Sequence, residues 1–441
     1  MANYGKRPHS WLRNLAAAGL TGSVISAPVM AQEAAAPAAG DRPAHYAMSP
    51  ESSTLPEKVV RARIPFVSAT SKGAAYDIDG KKVDGGLSAN VLASGLAVEY
   101  GFSDNLSVGV FAPFVIRNNL GMNADNFKNQ RGYQLSKRNF YVAASNLMIG
   151  LGVCSDQAQC WALIDSGYAF PYDLNVQLTS GEPASLKAGV PLNQAVHSLL
   201  ANAAKPEAGT TGLGDMDIGV KYRWLKGDTM GHAVALVLHA PTGKYEDVTL
   251  SQRATGRGIM ELGLRSHFDY KFSDNYIAGW QHTIDYAVGK GKIKRSKLLD
   301  NTQMDDVQDE AAAGSFADGY ANSNTFKRPG VRNVGFFDVK TSFGQFTPAL
   351  APVGGKLRYG YDFDTSVQVE EREDAASNGF RGATERSQLH TLGLGLVFDG
   401  FQMENRIPVR LTWDLDMPVK GANKAVAPLR NTVITELYYK F

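Results

Sequence analysis

GDMDIGVKYRWL, residues 214–225, is the stretch whose reading decides the fold. Met216, Ile218, Val220, Tyr222 and Trp224 fall on one parity, and Asp215, Asp217, Gly219, Lys221 and Arg223 on the other. Side chains alternate across a strand with a period of two, so this stretch reads as a strand with one apolar and one polar face. The pattern recurs in ELGLRSHFDYKF, where Leu262, Leu264, Phe268, Tyr270 and Phe272 oppose Glu261, Arg265, His267, Asp269 and Lys271. RIPVRLTWDLDMP sets Ile407, Val409, Leu411, Trp413, Leu415 and Met417 against Arg410, Thr412, Asp414 and Asp416. In KLRYGYDFDTSVQVE the apolar parity is Leu357, Tyr359, Tyr361, Phe363, Val367 and Val369.

Length separates a membrane barrel from a soluble sandwich. Sandwich strands typically run about five or six residues, whereas a tilted strand needs about nine to eleven to cross a bilayer. The alternating stretches here are long enough to cross, and their apolar faces carry Tyr or Trp toward one end, as an interfacial girdle requires. We read an all-β fold: a transmembrane antiparallel β-barrel of about twelve strands, over 57–68, 88–102, 106–117, 212–225, 231–242, 258–272, 276–290, 332–346, 355–370, 387–399, 405–418 and 430–441. The connections alternate between short turns and long loops, the longest spanning 118–211. The tetrapeptide FSDN occurs twice, at Phe102–Asn105 and Phe272–Asn275, each time with a tyrosine two residues upstream. Both copies fit short turns at the periplasmic rim, which places the long insert outside the cell.

The ends agree with export. Lys6, Arg7 and Arg13, the apolar run from Leu15 to Val29, and small residues at Val29 and Ala31 form a signal-peptide pattern over 1–31. QEAAAPAAGDRPA follows, so 32–55 reads as a disordered linker and 56–441 as the barrel. Cys154 and Cys160 are the two cysteines of the 441-residue chain, and an exported pair this close is most simply a local disulfide. The balance of 45 basic and 43 acidic residues argues against a nucleic-acid partner. At the other end, TVITELYYKF places Leu437, Tyr439 and Phe441 on one parity, which resembles the signal that barrel-assembly machinery recognises in outer-membrane proteins.

LAVEYGFSDNLSVGVFAPFV, TGLGDMDIGVKYRWL and HAVALVLHAPTGKYED together resemble the outer-membrane barrel family associated with phenol and aromatic-compound degradation. The motifs are an aromatic strand end with its turn (Tyr100 to Val115), a Gly-Leu-Gly-Asp strand start (Gly212 to Asp215) and a Pro-Thr-Gly strand exit (Pro241 to Gly243). The resemblance implies a channel in the bacterial outer membrane, with lipid, lipopolysaccharide and a small solute as its contacts. The insert at 118–211 departs from the family pattern.

If the apolar parity faces lipid, the other lines the lumen. The candidate pore-lining residues are Arg61, Arg63, Glu99, Asp215, Asp217, Lys221, Arg223, His239, Arg265, His267, Asp269, Arg358, Asp362, Asp364, Arg410, Asp414 and Asp416, with Glu261, Lys271, Asp338 and Lys340 on the same parity. Such a mixed interior fits first an ion-pair lattice that rigidifies the wall and lines a narrow pathway, and second a polar conduit whose charged rings select solutes. The insert is too apolar to stand free in water: Phe140, Tyr141, Leu147, Met148, Trp161 and Ile164 need cover, and Leu192, Val196, Leu199, Leu200 and Ala203 lie at helical spacing after Pro191. It reads as a partly helical cap or plug clipped by Cys154–Cys160, or a self-packed lid. The acidic stretches near Asp77 and over Asp300–Glu310 lack a regular calcium-loop spacing. His197–Ser198 and His282/Asp285 point to different faces of their elements, so the chain reads as no enzyme, with no cofactor or metal. The expectation is a channel for passive uptake of a small aromatic or amphipathic solute. The alternative is a surface barrel whose insert binds a partner.

Overall fold

The computed structural model describes residues 52–441 apart from 78, 129–130, 178–182, 205–208, 245–254, 289–290, 294–324, 329–330, 366–367, 371–380, 384–386, 423 and 425. Its frame is twelve antiparallel strands: β1 (Val59–Tyr76), β2 (Lys82–Ser103), β3 (Leu106–Met122), β4 (Met216–Lys226), β5 (Met230–Ala240), β6 (Glu261–Ser273), β7 (Tyr276–Ala287), β8 (Arg332–Ser342), β9 (Val353–Asp364), β10 (Ser387–Asp399), β11 (Val409–Ala422) and β12 (Leu429–Lys440). Each pairs with its neighbours in sequence, and β1 pairs with β12 from Val59↔Lys440 to Thr70↔Leu429. That last pairing closes the sheet into a barrel, the arrangement by which strands span a bilayer. The fold is a closed transmembrane β-barrel. No helix among the described residues is long and apolar enough to cross a membrane.

The alternation fixes which face each residue takes. Ile218, Val220, Tyr222, Trp224, Leu262, Leu264, Leu394 and Leu396 are exposed on the outside, while their polar neighbours are buried within. Both FSDN copies form two-residue turns, with Ser103 paired to Leu106 and Ser273 to Tyr276. In each, the serine hydroxyl accepts from the asparagine amide, at 3.4 Å in the first and 3.3 Å in the second. No residue of either turn has positive φ, so neither is the primed type that matches strand twist; a register shift beside each turn takes up the difference. Tyr100 stacks edge-on against Phe102, Tyr270 against Phe272 and Tyr439 against Phe441, with ring centroids 4.8–5.1 Å apart. These outward pairs form an aromatic girdle at the short-turn rim.

Three departures from the sequence reading have physical causes. β1, β2 and β3 run 18, 22 and 17 residues, so most of 69–87, expected as a loop, is a paired extension of the barrel wall. The strand expected over 355–370 stops at Asp364. Gln368–Glu370 instead joins Gly291–Ile293, Thr325–Arg328 and Arg381–Ala383 in a separate four-stranded sheet. The linker expected to end at residue 55 gives its last residues to the barrel: Ser52, Ser53, Thr54 and Leu55 are all buried. The signal segment and Asp300–Glu310 lie outside the described residues.

The insert contains α1 (Arg131–Gly150), α2 (Gln157–Asp165) and α3 (Leu192–Ala204), with a hairpin of Leu174–Gln177 and Pro183–Leu186. Gly152 (φ 72°) ends α1, where the Val153 amide reaches back to the Met148 carbonyl at 2.9 Å. This is a left-handed cap that a residue with a Cβ adopts at a cost. Asp156 caps α2 by accepting from the Gln159 amide at 2.8 Å. Cys154 and Cys160 are disulfide-bonded. Tyr141, Met148, Cys160, Ile164, Leu192 and Val196 form one core with Leu87 and Ala89 of β2 and with Val426. The insert therefore packs on itself and on the inward face of the β2 extension.

Candidate functional site: the barrel lumen

Closing the sheet brings the buried parity of all twelve strands into one interior. Near the short-turn rim, Glu436 of β12 is 0% exposed and meets three guanidiniums: Arg63 Nε at 2.6 Å, Arg410 Nη1 at 3.7 Å and Arg61 Nη1 at 3.8 Å. The Tyr438 hydroxyl donates to it at 2.6 Å. Arg61 also pairs with Glu99, whose other oxygen accepts from Ser107 Oγ at 2.7 Å, and Arg410 with Asp399 at 2.7 Å. Charges taken from water this completely persist only when paired and hydrogen-bonded. Arg265, His267, Asp338 and Lys340 are equally buried.

Higher up, ion pairs reach over intervening strands. His239 of β5 contacts Asp217 of β4 at 2.6 Å through Nδ1, and Asp285 of β7 at 3.1 Å through Nε2. The second contact crosses β6 at Gly263. A Cβ there would lie 2.7 Å from Asp285 Oδ1 and 2.9 Å from His239 Nε2. Gly395 plays the same part under Lys356 of β9, whose Nζ lies 2.8 Å from Asp414 of β11. Gly263→Val is expected to separate His239 from Asp285 and destabilise the barrel by about 1–3 kcal/mol, the usual cost of overpacking. A lowered urea midpoint of the lipid-refolded protein checks this.

On the far wall, Arg358 lies 4.0 Å over the Phe336 ring and 3.6 Å from both Asp338 and Asp414. Beside it, β8 to β12 line a cavity of about 60 Å³ that includes Phe336, Leu389, Asp416 and Arg430. That is well under the about 150 Å³ of an apolar cavity known to hold benzene. The neighbouring sector of the wall is apolar: Val67, Ala69, Val91, Ala93, Ala97 and Phe111 form one buried cluster on β1 to β3. Gly95 makes room for Phe111, since a Cβ there would lie 2.5 Å from its ring.

Of the residues expected in the lumen, most fall on the buried inner face. Asp215 differs. It sits just before β4 and accepts from the backbone amides of Gly243 at 3.0 Å and Arg257 at 2.5 Å, so it ties the loop after β5 to the barrel. Arg223 is only half-buried, and Lys271 reaches Asp274 of the turn at 2.8 Å. Asp362 and Asp364 lie at the long-loop rim with Arg332, at 3.5 and 4.0 Å. His282 faces outward and bonds the Tyr361 hydroxyl at 2.6 Å, away from Asp285, as its parity requires.

Sequence reasoning missed the chain entering the short-turn mouth. The Ser52 amide donates to Asp269, Lys221 Nζ donates to the Ser53 carbonyl at 2.6 Å, and Thr54 Oγ1 donates to the Asp104 carbonyl at 2.7 Å. Gly231 lies beneath Ser52, where a side chain would collide with the serine hydroxyl. Leu55 is buried with Val59 and Tyr438. The signal was present in the isolated Leu55 after a polar run, but a single apolar residue does not distinguish an anchor from a linker.

No sequence family and no curated protein matches the chain. Among solved structures, the chain is similar in fold to an outer-membrane channel from Pseudomonas putida F1, at 10% identity and TM-score 0.50, covering 88% of this chain and 98% of that one. The Ralstonia pickettii toluene transporter TbuX aligns over 87% of this chain and 90% of its own at 9% identity and TM-score 0.35. The CymD monoaromatic hydrocarbon channel aligns over 88% and 89% at 9% identity and TM-score 0.30. The chain thus has the fold of an outer-membrane β-barrel.

Proposed function

We propose that the protein is a bacterial outer-membrane channel for passive uptake of a small, aromatic or amphipathic solute. The observation that carries this reading is the division of the lumen. One sector of the lumen wall is apolar, around Phe111, and the sector of β8 to β12 is charged, with an arginine stacked on Phe336 and a cavity beside it. An amphipathic solute finds both of its surfaces matched along such a passage, and a wall built only for rigidity needs no apolar sector. The fold shared with an outer-membrane channel is consistent with this. The short-turn rim is then periplasmic and the long-loop rim extracellular, with the insert as a cap at the outer mouth, lipid and lipopolysaccharide around the wall, and the terminal strand read by assembly machinery. The candidate residues on the buried face are its pore lining, and the mature chain begins after residue 31.

The test is uptake into proteoliposomes of aromatic acids, neutral aromatics and sugars, together with conductance in a planar bilayer. Aromatic or amphipathic solutes are expected to enter faster than sugars. A barrel silent at every potential and with every solute would sink the channel reading. Deleting 139–204, with the ends joined by a short polar loop, is expected to raise conductance. An unchanged trace would remove the cap.

A further inference from the structure

The connection between β8 and β9 differs from the other short turns. Between Lys340 and Lys356 the sequence TSFGQFTPALAPVGG carries no charge, whereas the other four short turns hold Asp104, Asp228, Asp274, or Glu404 with Arg406. Two short 3-10 turns, Phe343–Gln345 and Pro348–Leu350, form it. Phe346, between them, is 73% exposed, and Pro348, Ala349 and Leu350 are exposed beside it. A contiguous apolar patch of this kind marks a surface that a membrane or a partner covers.

The segment is built to leave water. The Ser342 hydroxyl accepts from the Gly344 amide at 3.2 Å. The amides of Phe346, Leu350 and Ala351 donate to the carbonyls of Phe343, Thr347 and Pro348 at 3.0–3.1 Å. Pro348 and Pro352 have no N–H to satisfy. Amides met inside the segment lower the cost of moving its backbone into an apolar medium.

Its position selects lipid as the covering phase. Gln345 Nε2 donates to Thr341 Oγ1 at 2.9 Å and reaches the Tyr276 hydroxyl at 3.5 Å. Tyr276 and Thr341 stand in register on β7 and β8, and Tyr276 faces outward. The segment is therefore tied to the lipid-facing side of the wall, on the strand that follows the Tyr270–Phe272 pair. Its apolar patch continues the aromatic girdle past the strand ends. A protein partner is ordinarily specified by a polar rim around the apolar contact, and this segment offers no charge to such a rim.

We propose that residues 343–352 form an interfacial foot, with Phe346 and Leu350 inserted into the phospholipid leaflet at the short-turn rim. Interfacial elements seat their apolar face about 5–10 Å into the boundary between headgroups and acyl chains. The foot sets the depth of the barrel at one point of its circumference, and it acts whether or not the barrel conducts.

Power-saturation electron paramagnetic resonance of the folded barrel in phosphatidylcholine vesicles tests this. The native cysteine pair is disulfide-bonded, so F346C, L350C and D274C each add the one thiol open to a nitroxide label. Asp274, its side chain 80% exposed on a charged turn, is the water-facing reference. Labels at 346 and 350 are expected to meet lipid-soluble oxygen freely, with access to water-soluble nickel-EDDA at least threefold below that at 274. Heat-modifiable migration shows that each labelled barrel is folded. Nickel access at 346 equal to that at 274 would overturn the proposal. Protection at 346 that vanishes when the barrel is diluted in lipid would also overturn it, by assigning the patch to a second copy of the chain.

Discussion

Glu436→Ala is expected to destabilise the refolded barrel by about 3–5 kcal/mol, the scale for leaving buried charges without their partner. Glu436 holds Arg61, Arg63 and Arg410 on one carboxylate that is entirely out of water. Without it, three guanidiniums share Glu99 and Asp399, and the cluster carries an uncompensated positive charge in a desolvated place. The site also lies on β12 beside β1, so the strain falls on the pairing that closes the barrel. The measurement is the urea midpoint and slope of the lipid-refolded protein, read by heat-modifiable migration. Glu436→Gln, which keeps the volume and one acceptor, is expected to fall between wild type and alanine. A midpoint unmoved in both variants would show that the lattice contributes nothing to holding the barrel shut.

A chain beginning at Pro56 is expected to conduct several-fold more than the chain that retains residues 52–55. The removed residues lie across the inner face of β4 to β6, held by Asp269 and Lys221. Losing Leu55 from its contacts with Val59 and Tyr438 costs about 1.5–3 kcal/mol of apolar burial, which the twelve-pair β1–β12 seam is expected to survive. Single-channel conductance in planar bilayers is the readout. Equal conductance in the two chains would show that the segment does not obstruct the mouth.

The strand count, the closure and the face taken by nearly every strand residue were legible in the amino-acid order. β10 runs over 387–399, as its alternation requires, and the two FSDN turns close the hairpins they were read to close. The insert's α3 appears where Leu192 and Val196 set a helical period. Other features were not legible. Nothing local marks Ser52–Leu55 as part of the barrel, because its partners Asp269 and Lys221 lie far along the chain. The extensions of β1 and β2 past the expected strand ends were read as loop because Gly, Lys and Asp interrupt the apolar rhythm there.

What the order of residues determines by itself is therefore a period and a parity, since in a strand the side on which a residue lies depends only on counting by two. What tertiary structure decides is which inward charges meet. His239 reaches Asp285 across a strand because Gly263 has no side chain, and Lys356 reaches Asp414 over Gly395 in the same way. Parity places all of these groups in the lumen. Only the closed wall, with glycines setting the gaps in it, chooses their partners.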